Sequence, residues 1–315
     1  MAESQNTSDQ GNLKIPRGVG AGPVGAAFEP SGGPLSLFAS RSYRRLFAGG
    51  MLLWFGQWSE RLVVGFLILN ETDSIVLTAV SFASRSAIGM VVAPVAGVLV
   101  DRFDRRSVLL ITSFVQAGVV GGLALLAIGG LGVIWPVMVL VAINGASYSF
   151  SHPAMLALTT DLVSPSTRMT AVSVLATGMR TVGVLGALIG GLVTDAFSAS
   201  PALFCSAVAL ILGGLTIARI RYRSQRTEQH TSHVIKGAFE GIRFLVNAQP
   251  VAAVLSLGVA VEIFGFAYNA ILPAVARDVL GVGATGLGAL WLMAGIGSLG
   301  GVLFLVWLGN FRRKG

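Results

Sequence analysis

Long apolar runs alternate with short polar segments from Leu46 to the end of the chain. A helix needs about 20 residues to cross the roughly 30 Å of hydrocarbon in a bilayer. Runs that approach or reach this length lie at 46–69, 75–100, 107–128, 134–157, 169–194, 202–218, 251–274 and 286–309. The pattern predicts an all-α membrane protein, a helical bundle with about eight transmembrane helices.

Two polar segments divide the chain. Residues 1–40 are rich in Gly, Ser and Pro and contain no apolar run, which predicts a disordered cytoplasmic tail rather than a signal peptide. Residues 219–250 predict a cytoplasmic linker, in which the spacing of apolar positions fits a short amphipathic helix on the membrane surface. We therefore expect a six-helix N-terminal bundle at 41–218 and the first two helices of a second bundle at 251–315, a layout typical of proteins built from repeats.

Composition and charge agree with a bilayer as the solvent. The 315 residues are 54% hydrophobic and only 11% charged, whereas soluble chains are about a quarter charged. The net charge of +8 does not indicate nucleic acid, because the basic residues form short clusters between apolar runs. Of the 22 lysines and arginines, 18 fall on the side of the N-terminus, Arg277 alone on the opposite side and three within spans. The positive-inside rule then predicts that both termini are cytoplasmic.

Several kinds of chemistry are not expected. Cys205 is the only cysteine, so neither a disulfide nor a Cys/His metal site is predicted. The sequence contains no phosphate-binding loop, so it does not predict ATP-driven transport. We expect no cofactor. An intramembrane serine protease is the enzyme alternative, since Ser147 and His152 share span four, but their spacing of five residues on one helix favours no hydrogen bond between them.

Ionisable residues inside spans are costly and are therefore candidate functional residues. At 1.5 Å per residue, Glu60 lies roughly 21 Å from the cytoplasmic end of span one and Arg85 roughly 23 Å into span two. These depths allow a Glu60–Arg85 ion pair, with Arg61 as a competing partner. Glu262 lies roughly 17 Å into span seven, and Arg180 lies within span five.

The sharper hypothesis is that Glu60 or Glu262 accepts a proton in exchange for substrate. Glu262 has no obvious partner and is the better candidate for the proton carrier, while Glu60 is better placed as half of a structural pair. The alternative is that both carboxylates only stabilise packing. A group of aromatic residues lies at a similar depth, namely Trp54, Phe55, Trp58, Phe264, Phe266 and Tyr268. One interpretation is that they line a cavity for a bulky apolar substrate. The alternative is that they face lipid or the protein core.

The loop between spans two and three reads Gly97-Val-Leu-Val-Asp101-Arg102-Phe-Asp-Arg105-Arg106. It resembles the signature loop of the major facilitator superfamily, G-x-L-x-D-R-x-x-R-R, with every signature position filled. The resemblance implies a helical-bundle transporter in which Asp101 is part of a cytoplasmic gate. Ordinary positive-inside anchoring is the alternative, and it would explain the arginines but not Gly97 or Asp101.

Span five carries Gly183, Gly186, Gly190 and Gly191. The last three positions are similar to the G-P-x-x-G-G motif of antiporters in the superfamily, with Ala187 in place of the proline. The resemblance implies antiport, which the missing proline weakens. A helix-packing face of the G-x-x-x-G type is the alternative.

Segments around Arg41–Phe47 and Pro153–Val163 resemble the branch that holds macrolide efflux proteins and the enterobactin exporter. The resemblance implies a secondary transporter in a bacterial plasma membrane that uses protons to export a small apolar or amphipathic molecule, either drug-like or siderophore-like. The family normally has twelve spans, so we expect the chain to be truncated after the eighth and unable to complete the transport cycle alone. A non-transporting receptor, a scaffold and a channel are alternatives.

Overall fold

The structure, a computed structural model, describes residues 34–130, 132–222 and 268–307 with a few positions between 252 and 260. Its helices are α1 Arg41–Thr72, α2 Ile75–Arg102, α3 Arg105–Ile128, α4 Trp135–Asp161, α5 Arg168–Ala196, α6 Ala199–Ala218, α7 Tyr268–Ala274 and α8 Ala284–Trp307. No strand occurs in the described part. Residues 1–33 of the predicted tail, the linker after Tyr222 and half of span seven lie outside the described residues.

The helices extend beyond the predicted apolar runs because capping groups, rather than hydrophobicity, set their ends. The Ser40 hydroxyl accepts a hydrogen bond from the Tyr43 amide at 3.4 Å and begins α1 five residues before the apolar run. Asp73 ends α1 in the left-handed conformation (φ 50°), and the Ser74 hydroxyl caps α2 through the Leu77 amide at 3.2 Å. This tight turn makes α1 and α2 antiparallel neighbours.

Five of the described helices are long and apolar enough to cross a membrane: α1, α2, α3, α5 (with the short 3-10 turn before it) and α6. The 27 residues of α4 are equally long, but polar side chains interrupt its apolar sequence. Asn144, Ser147 and Ser151 are buried rather than lipid-facing. Because buried polar groups in a membrane protein face the bundle interior, α4 supplies a polar wall there.

The bundle is organised around α1, which packs on α5 and α6, while α3 packs on α4 and α6, and α2 on α4. Glycines allow the closest approaches. A Cβ on Gly56 would lie 2.7 Å from the Ser206 carbonyl oxygen, and one on Gly145 would touch the Arg85 backbone at 2.5 Å. Small residues at helix contacts are how membrane bundles gain packing energy without a hydrophobic driving force.

The span-five glycines lie at such contacts. A Cβ would lie 2.8 Å from the Trp58 ring at Gly183 and 2.6 Å from the Phe55 carbonyl oxygen at Gly186. Gly190 packs on Ser59 of α1, and Gly191 packs on Ala284 of α8. The geometry matches the packing alternative, whereas the antiport interpretation of these glycines stays a prediction.

Replacement of Gly186 by alanine should destabilise the bundle by about 1–3 kcal/mol, because the added methyl group would meet the Phe55 backbone, which cannot swing away. Gly118→Ala is the matched control, since no atom of the described residues lies within 4 Å of a Cβ at that helical position. Chemical unfolding in detergent micelles measures both. Equal stabilities for the two variants would contradict the packing role.

Candidate functional site

A buried ion pair joins α1 to α2. Arg85 Nη2 lies 2.6 Å from Glu60 Oε1, and Arg85 Nη1 donates to Glu60 Oε2 at 3.0 Å. The Glu60 side chain is completely buried and that of Arg85 is 11% exposed. Two parallel N–H···O bonds form the strongest geometry for these groups. The pair predicted from depth is therefore present, with Arg85 rather than Arg61 as the partner.

The turn at Asp73 explains why these two side chains meet. Glu60 lies 13 residues before Asp73 and Arg85 lies 12 residues after it, so antiparallel helices bring them to the same level. Gly145 of α4 packs directly on the Arg85 backbone. That close approach holds α2 against the bundle so that its guanidinium reaches inward.

Beside the ion pair, a chain of polar side chains joins α1 to α3 and α4. Gln57 donates to Gln116 at 2.9 Å, and Gln116 donates to the Ser151 hydroxyl at 3.5 Å. Gln116 is only 1% exposed. Such amide and hydroxyl groups give a membrane interior the donors and acceptors that a polar part of a substrate requires.

Two adjoining cavities lie beside these groups. The first has a cavity volume of about 10 Å³, room for about one water molecule. Its lining residues are Trp54, Gln57, Trp58, Arg61, Arg85, Gln116, Asn144 and Tyr148. The second, also about 10 Å³, shares Trp54, Gln57 and Tyr148 and is otherwise lined mainly by apolar side chains. The combined space, here called the central cavity, is polar near the ion pair and apolar away from it.

Aromatic rings form one wall of the central cavity. Trp54 and Trp58 stack with centroids 6.2 Å apart, and the edge of Trp291 from α8 meets Trp58 at 5.5 Å. The Arg61 guanidinium lies 5.2 Å from the Trp58 ring centre, a cation–π distance. Of the predicted aromatic residues, Trp54 and Trp58 line the cavity. The backbone of Phe55 packs on Gly186, and the side chain of Tyr268 is 43% exposed. Phe264 and Phe266 lie outside the described residues.

Ser147 and His152 do not form a nucleophile–base pair. Ser147 donates to the Ile143 carbonyl oxygen at 2.9 Å within its own helix. His152 stacks on Tyr148 with ring centroids 5.6 Å apart and meets Trp54 edge to face. Ser147 is thus bonded within its own helix and His152 packs on aromatic rings, which gives the protease alternative no geometric support.

A second polar cluster lies at the arginine-rich end of the bundle, where α2, α4 and α6 end. Arg105 Nη1 lies 2.6 Å from Asp161 but Nη2 lies 3.8 Å from Asp101, whose side chain is 74% exposed. The Tyr222 hydroxyl donates to Asp161 at 2.5 Å. Asp161, rather than Asp101, is therefore the carboxylate that organises this end within the described residues.

Asp161 is not among the site residues that the sequence predicts. Its position in the sequence could have identified it, because Asp161 follows span four on the same side of the membrane as the arginine clusters. An anion at a helix C-terminus is disfavoured by the macrodipole and needs a cationic partner.

The other gate-motif residues occupy different positions. Arg106 donates to the Ala218 carbonyl oxygen and Arg45 to that of Arg219 at 2.5 Å, so both arginines satisfy carbonyls at the end of α6. Arg102 is exposed, and no described atom lies within 4 Å of a Cβ at Gly97. The gate role of this motif stays a prediction.

Two further candidate residues remain. Arg180 is exposed on α5, and it makes no hydrogen bond or ion pair within the part of the chain that the structure describes. Glu262 lies outside the described residues. Within those residues, no group of three or more His, Cys, Asp or Glu side chains is arranged to hold a metal ion.

The fold and site define an integral multi-pass membrane protein, a helical bundle with a buried ion pair beside an aromatic cavity. Residues 46–314 match the model of the Major Facilitator Superfamily, and the chain belongs to that family of membrane transporters, which are not enzymes.

Known relatives include efflux proteins. Over 257 residues the chain is 21% identical to macrolide efflux protein A of Streptococcus pyogenes, an alignment that covers 81% of this chain and 63% of that protein. It is 22% identical to macrolide efflux protein A of Enterococcus faecalis (71% and 70% covered). It is 26% identical to multidrug resistance protein 1 of Bacillus subtilis (56% and 43% covered).

Loss of one partner of the buried ion pair should be more harmful than loss of both. Glu60→Gln leaves the Arg85 charge uncompensated and should destabilise the protein by about 3 kcal/mol, and Glu60→Gln with Arg85→Gln should recover part of that loss. The free energies of unfolding of the two single variants and the double variant in micelles give the interaction energy between Glu60 and Arg85. Asp101→Asn at the exposed 3.8 Å pair is the control and should cost less than about 1 kcal/mol. Additive single-variant effects would contradict a coupled pair.

The pKa of Tyr222 should report the hydrogen bond to Asp161 at the arginine-rich end. Burial raises the pKa of Tyr222 above its ordinary value of 10.0, and the hydrogen bond to Asp161 raises it further. The neutral phenol therefore contributes stability that is complete below pH 10 and is lost as pH rises above it. Asp161→Asn should lower the pKa of Tyr222 without restoring the ordinary value, because burial remains. Ultraviolet titration, with Tyr222→Phe to identify the signal, measures the change; an unchanged titration would contradict the contact.

Proposed function

We propose that this bundle is the substrate-binding part of a secondary active transporter that exports a small apolar or amphipathic molecule in exchange for protons. The observation that carries the proposal is the Glu60–Arg85 ion pair beside the aromatic central cavity. A charged pair is costly in a membrane and usually marks a substrate or ion pathway. Membership of the family and relatives named as efflux proteins support transport outward.

The lining of the central cavity fits an amphipathic substrate. Trp54 and Trp58 offer flat apolar surfaces, while Gln57, Gln116 and Asn144 offer hydrogen bonds at one end. A site with a large apolar surface and a few convergent polar groups is the usual form of a small-molecule pocket. Substrates resembling drugs or siderophores combine these two properties.

We propose the following division of the charged residues. Because Glu60 is fully buried and bound to both Arg85 nitrogens, it holds the shape of the cavity. Glu262 is the proposed proton acceptor, as the sequence predicts, and Arg180 contributes positive charge near the substrate path. The asymmetry of the basic residues supports a bacterial plasma-membrane orientation with the arginine-rich end in the cytoplasm. Asp101, Arg102 and their neighbours would then form the inner gate.

Ligand binding by the purified chain tests the site without requiring a complete transport cycle. An amphipathic fluorescent dye should quench tryptophan emission, and Trp58→Ala should weaken its binding about tenfold, in the range expected for loss of a buried aromatic contact. Trp135→Ala is the matched control, because that tryptophan is 73% exposed at the opposite end of the bundle. Equal affinities for both variants would contradict the central cavity as the binding site.

Proton exchange adds a pH signature to the same titration. If substrate and proton compete, dye affinity should rise as pH rises, and Glu262→Gln should flatten that dependence. The His152→Gln variant shows whether the pH dependence of dye affinity comes from the histidine in the cavity lining rather than from Glu262. Affinity that is independent of pH in the wild-type chain would favour the receptor alternative over an antiporter.

A further inference from the structure

The end of the bundle opposite the arginine-rich end is held together by a carboxylate from α5. Asp195 Oδ1 accepts a hydrogen bond from the Ala284 amide at 2.9 Å, and Oδ2 accepts one from the Thr285 amide at 2.8 Å. These are the first two amides of α8, which otherwise have no partner within the helix. Asp195 therefore caps a helix that begins about 90 residues later in the chain, and it binds the two parts of the protein to each other.

A second contact joins the same two parts through Arg277, which lies between α7 and α8. Its Nη2 donates to Asp73 at 2.5 Å and its Nη1 donates to the Leu69 carbonyl oxygen at 2.8 Å, both at the end of α1. Arg277 is the single basic residue that the sequence places on this side. Hydrogen bonds with an ionised partner are stronger and more directional than neutral ones.

Packing beneath these contacts is close at this end of α8. Gly283 packs on the Asp195 carboxylate, a Cβ on Gly288 would lie 2.7 Å from Leu188 Cα, and one on Gly295 would lie 2.8 Å from Val184. Ala284, Leu287 and Trp291 are buried accordingly. Toward the arginine-rich end, positions Gly297, Gly300 and Gly301 meet no described atom within 4 Å.

We propose that Asp195 and Arg277 form a two-point latch that keeps this end of the bundle closed and must be released before the central cavity can open there. The latch is defined by four hydrogen bonds, to Ala284, Thr285, Leu69 and Asp73. A few strong contacts at the rim of a helix interface suit an element with two discrete arrangements. The importance of this opening for export rests on the proposed function, whereas the latch itself does not.

Distances between spin labels test the latch in the purified full chain reconstituted in lipid. Labels are placed at cysteines introduced at Phe197 and Val279, which are 78% and 75% exposed on either side of the contact, after Cys205→Ser removes the native cysteine. The wild-type chain should give one short distance. Asp195→Ala and Arg277→Ala should each increase the long-distance population at least threefold, and Asp195→Asn should give an intermediate increase because one acceptor oxygen remains.

Thr194→Ala is the matched control, because that hydroxyl bonds only to Gly190 within α5 and lies next to Asp195 without joining the latch. It should leave the distances unchanged. Wild-type distances in both Asp195→Asn and Arg277→Ala, or a shift in only one of the two, would overturn the latch. A chain that binds no amphipathic dye but opens in both variants would keep the latch and refute the proposed function.

Discussion

Hydrocarbon does not solvate ions or free peptide groups, and this constraint governs the polar contacts in the interior of the bundle. Backbone groups are satisfied inside helices, and the Glu60 carboxylate exists between α1 and α2 only because Arg85 binds both of its oxygens. The same requirement brings Gln57, Gln116 and Ser151 together. The central cavity is polar where these groups converge, because the buried polar side chains that line it are hydrogen-bonded to one another.

The two ends of the bundle satisfy a different need, since helix termini leave carbonyls and amides without partners. At the arginine-rich end, Arg45 and Arg106 bond the last carbonyls of α6, and Asp161 draws Arg105 and Tyr222 together. At the opposite end, the Asp195 carboxylate meets the first amides of α8. Arg45, Arg106 and Asp195 thus place charge where the dipoles of α6 and α8 favour it, whereas Asp161 at the end of α4 is stabilised by Arg105. The contacts proposed to control opening are built from the same groups that cap helices.

Close packing sets how far these elements can move independently. Gly186 brings α5 against the Phe55 backbone of α1, and Gly288 brings α8 against Leu188 of α5. Contacts between backbones do not adjust by changing rotamers, so α1 and α5 behave as one unit. The described close contacts between α5 and α8 lie in the first half of α8, at Gly288 and Gly295.

Hydrophobic patterning by itself determined that the chain is a helical membrane bundle, and it located the first six helices and α8, because spanning length and apolar character are local properties of the sequence. It also suggested the Glu60–Arg85 pair, since equal depth on neighbouring antiparallel spans follows from counting residues. The helix ends differ from the prediction because Ser40 and Asp73 act through capping geometry. Only the tertiary structure showed that Asp161 is the partner of Arg105, that Asp195 caps α8 and that Trp291 meets Trp58. These contacts join residues far apart in the chain, and no local pattern records which helices become neighbours.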